Sequence, residues 1–287
     1  MISDYRCFFC FARAIEKLIA KEKFTTDTGN RLVQDVMNLF CEKWGKLSMP
    51  EFSREVNYIL KNYTNNPDPY KREKKESNDL VLGLVPELNE IIRNSSDPFS
   101  TALRLAIAGN IIDFAIENQF DLKTTINMVL NSDFAIDHSL KLKMEIEKAD
   151  KVLYIGDNAG EIVFDKLFIS TIYHPHLTFV VRGGPVINDA TIEDALYTGI
   201  NMVAKVISSG YDIPSVILEK SDNVFKECFE KADVIISKGQ GNLEGLLTLN
   251  DKRIFFLLMA KCDVVSEFLK VPRGSMVVYN SSGTDSN

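Results

Sequence analysis

Surplus positive charge is the first thing this chain lacks: 33 Lys and Arg stand against 40 Asp and Glu, a formal net charge of −7. Binding to nucleic acid draws on cations that displace phosphate counterions, so that class is set aside. Apolar runs of membrane-spanning length are missing as well, because a bilayer crossing takes ~20 consecutive apolar residues. Near the start, Asp4, Arg6, Arg13, Glu16 and Lys17 interrupt the stretch that a secretory signal keeps apolar. The five cysteines are odd in number, and only Cys7 and Cys10 are closely spaced. That excludes a disulfide framework and suits a reducing compartment, so a cytoplasmic protein is expected. The three histidines, His138, His174 and His176, propose no triad, and no Gly-x-Ser-x-Gly elbow marks an α/β-hydrolase.

Strand patterns are nearly absent before Lys151. Residues 7–21 place Phe8, Phe11, Ile15, Leu18 and Ile19 on one helical face, and 28–44, 52–63 and 98–120 repeat the period. After Lys151 the period changes. Short β-rich runs occur at 151–155, 177–181, 202–207, 234–237, 253–259 and 276–279, several of them separated by helical segments. Strands alternating with helices imply a mostly parallel sheet covered on both faces. The expected fold is therefore α/β, a Rossmann-like sheet (149–287) preceded by an α-helical N-terminal region (1–148).

The chemistry gathers where strands end. Residues 152–165 read as a buried strand, a turn of Gly156, Asp157, Asn158, Ala159 and Gly160, then a helix from about Glu161. Open α/β sheets build ligand sites at the carboxyl ends of their strands. Asp157 and Asn158 offer oxygen to a hard divalent cation, although Asp and Asn also satisfy their own backbone in ordinary turns. After the second strand run, Arg182, Gly183, Gly184 and Pro185 lead to Asn188 and Asp189. Parallel strands bring such loops to one edge, so Asp189 can join Asp157 and Asn158 as a third oxygen donor. Arg182 is suited to a bidentate phosphoryl contact. The plainer alternative is a Gly-Pro turn that ends in a helix cap, and Asp194 is read as a solvated helix acid. A third loop, Lys238, Gly239, Gln240, Gly241 and Asn242, places paired glycines and a lysine before a helix start, which suits an anion.

Two further motifs carry open alternatives. Gly109 inside a helical stretch costs about 1 kcal/mol against Ala. It either permits close helix packing or lets a ligand approach Asn110 and Asp113. Cys7 and Cys10 lack the two further ligands of a zinc site and read as buried apolar side chains.

Taken together, the Asp157-Asn158-Ala159-Gly160-Glu161, Asn188-Asp189-Ala190-Thr191 and Lys238-Gly239-Gln240-Gly241-Asn242 motifs resemble the damage-control metal-dependent phosphatases, also catalogued as domain of unknown function 89. Gly109-Asn110 with Asp113, and the opening Cys7 and Cys10, are similar to the shorter prokaryotic and archaeal branch. The resemblance spans nearly the whole chain. It implies a divalent metal (Mg, Mn, Co or Ni) held by Asp157, Asn158 and Asp189, and a phosphate-binding Lys238. Gly239, Gly241, Asn242, Arg182, Asn110, Asp113 and Glu161 complete the candidate substrate-binding set. The implied activity is hydrolysis of phosphate monoesters on small metabolites, sugar phosphates or damaged and surplus phosphorylated intermediates, by metal-activated water. An aspartyl-phosphate route through Asp157 ranks lower, since the residue two places on is Ala159 rather than a second acid. The alternatives are an S-adenosylmethionine-dependent methyltransferase, an activity ascribed to a eukaryotic branch, and a non-catalytic nucleotide or metabolite sensor. Asp157→Ala and Asp189→Ala are expected to abolish metal-dependent activity without unfolding, because polar loop residues add little to a core.

Overall fold

In the computed structural model, residues 4–109 and 122–281 are described, so the expectation for Asn110 and Asp113 falls outside the described residues. The chain opens with three amphipathic helices, α1 (Tyr5–Glu22), α2 (Thr26–Lys43) and α3 (Met49–Thr64). Their starts are set locally. Asp4 caps α1 by accepting from the Arg6 amide, and Ser48 with Glu51 forms a capping box on α3, with Pro50 in its first turn. Their apolar faces meet in a small core of Ile15, Leu18, Leu32, Val36, Phe52 and Val56. Helices α4 (Lys71–Leu82), α5 (Val85–Asn94) and α6 (Pro98–Ala108) follow, then α7 (Leu122–Leu130). The run Ala102, Leu103, Leu105, Ala106, Ile107 makes α6 apolar on nearly every side, and such a helix is stable only when buried.

The rest forms one seven-stranded sheet with helices between its strands. Strand β1 (Phe134–Asp137) leads to α8 (Ser139–Lys148), and β2 (Val152–Ile155) to α9 (Glu161–Ile172). Strand β3 (Leu177–Val181) leads to α10 (Ile192–Thr198), and β4 (Lys205–Ser208) to α11 (Asn223–Lys231). Strand β5 (Val234–Lys238) runs directly into α12 (Gly239–Leu246), β6 (Ile254–Met259) is followed by α13 (Asp263–Leu269), and β7 is Met276–Asn280. The spatial order is β1-β7-β6-β5-β2-β3-β4. Strands β2 to β6 are parallel, while β7 pairs antiparallel with β6 and β1 parallel with β7. The expected α/β class and mostly parallel sheet are thus present.

Alternation of side chains feeds two cores. Val152 and Tyr154 of β2 face a layer holding Leu103, Ala106, Phe164, Phe168 and Phe179, and Leu153 and Ile155 face one holding Val180, Phe225, Phe229, Leu243 and Phe256. Helix α6 lies in the first layer, so the upstream helical segment covers one face of the sheet. Strand β1 was not anticipated from sequence. It is a four-residue edge strand with alternate residues half-buried and exposed, too short for a clear period. The run expected at 202–207 resolves into a 3₁₀ turn, Ile200–Met202, before β4.

From β2 the chain winds outward to β3 and β4, then returns to lay β5 on the other side of β2. The order of winding reverses between β2 and β5, and loops that diverge at such a point leave a crevice beyond the carboxyl ends of the strands.

Gly109 closes α6 against the start of α9. A Cβ there would lie 3.0 Å from Glu161 Cγ and 3.1 Å from Phe164 Cδ2, so close helix packing accounts for the glycine. Helix propensity alone would make Gly109→Ala stabilising by about 1 kcal/mol. Overpacking reverses the sign, and the urea midpoint is expected to fall by the equivalent of about 1–3 kcal/mol. A raised midpoint would show that the two helices are not in tight contact.

Candidate active site

Three loops meet at the switch point. The loop 156–160 after β2 and the loop 182–191 after β3 are zipped together by an antiparallel bridge between Asn158 and Asp189. The Ala159 amide donates to Asn188 O at 2.9 Å, and the Ala190 amide to Asp157 O at 2.8 Å. This pairing brings Asp157, Asn158 and Asp189 to one place. Ile187, just before Asn188, has φ of +45°, a left-handed conformation that a β-branched residue adopts only under constraint.

Arg182 lies under the two carboxylates. Its Nη2 donates to Asp157 Oδ1 at 2.8 Å and its Nε to Asp189 Oδ2. Its Nη1 donates to Asn242 Oδ1 at 2.9 Å. Asn242 is fully buried on α12, and its Nδ2 donates to Lys238 O at 2.7 Å and Gly156 O at 3.1 Å. One guanidinium and one amide therefore tie together the ends of β2, β3 and β5. The sequence suggested a phosphoryl contact for Arg182, whereas here its side chain is 1% exposed and its guanidinium is aimed at protein acceptors. Asp157 and Asp189 are likewise buried, at 8% and 3% exposure. Truncating either to Ala would leave a buried Arg182 donor without its acceptor, a cost of about 1–3 kcal/mol, so the expectation that the Ala variants spare the fold is revised. Amide replacements are therefore the cleaner probes.

Helix α12 starts at the same point. Gly239 has φ of +77°, and a Cβ on it would lie 2.0 Å from Asp157 Oδ2, so only glycine lets the carboxylate sit against the helix start. The first-turn amides of a helix have no partners within it and favour negative charge.

Beside this lies a second buried charge cluster. Lys238 Nζ donates to Glu161 Oε1 at 2.7 Å, to the Ala106 carbonyl at 2.8 Å and to Asp165 Oδ1. Glu161 Oε2 accepts from Asn158 Nδ2 at 3.1 Å, and that amide also donates to Asp157 Oδ2 at 3.0 Å. A continuous polar chain thus runs from Lys238 through Glu161 and Asn158 to Asp157, Arg182 and Asp189. Asp165 and its partner Tyr154, whose hydroxyl donates to it at 2.7 Å, were missed from sequence. The available signal was an acid one turn beyond Glu161 in an otherwise apolar run.

Two other expectations change. Asp194 is buried rather than solvated, because it caps α10 and accepts from Lys74 and Asn78. Cys10 is exposed and Cys7 half-buried, so the pair is not packed away as buried apolar residues. Gly241 is close-packed, since a Cβ on it would meet Pro214 O at 2.2 Å.

The charges do not balance. Among the described residues, the ion pairs of Asp157, Asp189, Glu161 and Asp165 are with Arg182 and Lys238, four acids to two cations in a buried space. Burial, then the charges of Asp189 and Glu161, push the Asp157 pKa up to about 8 against the pull of Arg182 and Lys238. Burial raises Asp165 to about 6, opposed by the Lys238 charge, and burial raises Asp189 despite Arg182. For Lys238 burial works downward, but the Asp165 and Glu161 charges raise it overall. Among the described residues no three His, Cys, Asp or Glu side chains gather as metal ligands; beside Asp157 and Asp189, Asn158 would add an amide oxygen. An all-oxygen set in an acid-rich cluster fits a hard divalent cation.

A family model described as the damage-control phosphatase ARMT1-like domain matches residues 3–277. A damage-control phosphatase from Pyrococcus horikoshii is 35% identical over 279 residues, covering 96% of each chain. A damage-control phosphatase from Archaeoglobus fulgidus is 34% identical over 217 residues, 73% of this chain and 75% of that protein. The crystal structure of a DUF89 family protein from Pyrococcus horikoshii is similar with a TM-score of 0.86 at 34% identity, covering 98% of this chain and 99% of that one.

An acid whose pKa is higher folded than unfolded stabilises the fold while protonated. For Asp157 that contribution is complete below about pH 4 and is lost as pH rises through about 8. Asp165 and Asp189 shift in the same direction. Metal-free protein is expected to melt lower as pH is raised from about 5 to about 9, by ~2–4 °C per kcal/mol lost. Asp157→Asn should flatten that slope and raise the melting temperature at the alkaline end. A wild-type melting temperature that rises across the same interval would show that the carboxylates are not crowded as described.

Proposed function

The chain belongs to the damage-control phosphatases with an ARMT1-like domain, and on that premise we propose that it hydrolyses phosphate monoesters of small metabolites by metal-activated water. Sugar phosphates and damaged or surplus phosphorylated intermediates are the substrate class. The observation that carries this is the convergence, at one switch point, of Asp157, Asn158 and Asp189 with the amino end of α12.

Asp157, Asn158 and Asp189 would hold a divalent cation (magnesium, manganese, cobalt or nickel), which when bound supplies a polarised phosphoryl oxygen and a water of lowered pKa. Arg182 keeps both carboxylates aimed by fixing one oxygen of each. Asn158 has its amide nitrogen committed to Asp157 and Glu161, which leaves its carbonyl oxygen as the donor. The first-turn amides of α12, Gly239 to Gly241, would receive phosphoryl oxygens, since amides at a helix start favour negative charge. Lys238, expected from sequence to bind phosphate, has its ammonium committed to Glu161, Asp165 and the Ala106 carbonyl, so its part is to hold those acids beside the same helix end. Such preorganised charge supplies most of the catalysis in phosphoryl transfer, which asks little covalent chemistry of the protein.

The deciding experiment is phosphate release from a panel of small phosphate monoesters, with metal-stripped protein resupplied separately with Mg²⁺, Mn²⁺, Co²⁺ or Ni²⁺. Metal-dependent turnover is expected, and the preferred ester narrows the substrate. Asp157→Asn and Asp189→Asn should each lower kcat/KM more than about 100-fold, beyond the range for groups that only support ligands. If every ester stays intact with every metal, the hydrolase assignment fails and the metabolite-sensor or methyltransferase alternative takes its place. Full activity in either variant would sink the ligand assignment alone.

A further inference from the structure

Two ligand loops that come from different strands need something to fix their separation. Beyond the bridge between them, one buried side-chain pair reaches both from outside. Asn78 on α4 is 1% exposed. Its Oδ1 accepts from the Gly160 amide at 2.6 Å, and its Nδ2 donates to Asp194 Oδ1 at 3.2 Å. Asp194 Oδ2 accepts from the Thr191 amide at 2.9 Å and the Thr191 hydroxyl at 2.8 Å. Lys74 Nζ, also from α4, donates to the same oxygen at 3.2 Å and pairs with Asp68 at 2.8 Å. Helix α4 is in contact with the first loop, since a Cβ on Gly160 would lie 3.0 Å from Ser77 Cβ.

Gly160 and Thr191 lie two residues beyond Asn158 and Asp189 respectively. The path Gly160–Asn78–Asp194–Thr191 therefore spans the two loops just outside the proposed ligands. We propose that Asn78 and Asp194, with Lys74 neutralising the carboxylate, form a clasp that sets the spacing of the two ligand loops for the divalent cation. This rests on the metal reading given above. Neither side chain touches cation or substrate; both are positioning residues. The capping box of Thr191 with Asp194 would start α10 without Asn78. The added amide instead carries the link to a helix more than 80 residues earlier in the chain, 82 for Gly160 and 116 for Asp194.

The directions of these hydrogen bonds supply the test. Asn78→Asp keeps an acceptor for Gly160 but sets a second carboxylate against Asp194. Asp194→Asn keeps an acceptor for Thr191 but sets an amide donor against the Asn78 donor. The two substitutions together restore one donor facing one acceptor, with the total charge unchanged. Mn²⁺ binding to metal-stripped protein is measured by titration calorimetry, beside thermal melting and kcat/KM. Each single variant is expected to bind Mn²⁺ about 10–100-fold more weakly, and the double variant to return to within about threefold of wild type.

Single variants that melt lower but bind Mn²⁺ with wild-type affinity would reduce the clasp to fold stabilisation and overturn the proposal. A double variant no better than the weaker single would overturn the pairing. If a single variant fails to fold, Asn78→Ser, which keeps a hydroxyl but loses the reach to Gly160, carries the same comparison. Wild-type protein that binds no Mn²⁺ would remove the metal reading and the clasp with it. Wild-type binding that the variants leave unaltered would remove the clasp alone.

Discussion

The Arg182 guanidinium is the contact on which the rest of the site depends. It is almost wholly buried, and it holds Asp157, Asp189 and Asn242, which belong to the loops and helix following β2, β3 and β5. A buried cation is costly unless its donors are satisfied, so the three segments are held to whatever arrangement serves it. That requirement turns three separate strand ends into one constellation. The Gly239 backbone complements it, since any side chain there would displace the Asp157 carboxylate from the helix start.

Charge then accounts for the chemistry the site can do. Among the described residues, four carboxylates share two cations in a largely buried region. Burial first, and then the neighbouring Asp189 and Glu161 charges, push the Asp157 pKa up to about 8, so protons ease the crowding of the acids. On the proposed reading, a divalent cation held there would ease the same crowding with a charge that can also bind phosphoryl oxygen. Its binding would release protons, so its affinity would rise with pH through the range in which Asp157 titrates. The fold tolerates the site in its metal-free form by giving up some stability at alkaline pH.

The upstream helices are part of this constellation. Helix α6 offers the Ala106 carbonyl to Lys238 and packs Gly109 against Glu161. Helix α4 offers Asn78 and Lys74 to the second layer of polar contacts, and α3 reaches the loop after β3 through Lys61, which donates to Pro185 O at 2.6 Å. The apolar core shared by α6, α9 and the sheet makes these contacts rigid.

How much of this was legible in the sequence follows from the range of each interaction. Binary pattern and turn chemistry are local, so the strands from β2 onward, the upstream helices and the three loops bearing Asp157, Asp189 and Lys238 could be read from the residues in order. Parallel topology further implied that those loops share an edge. Short β1 carried too little period, and its place beside β7 depends on a distant partner, Phe134 pairing with Met276, 142 residues on. The sequence by itself determined the fold class and the donor chemistry, because both are written in spacing and residue type. Only the tertiary structure decided that Arg182 serves the carboxylates, that Asp194 is buried, and that Asp165 and Asn78 belong to the site. Each of those depends on a partner brought close by packing, and burial is what gives such a contact its strength.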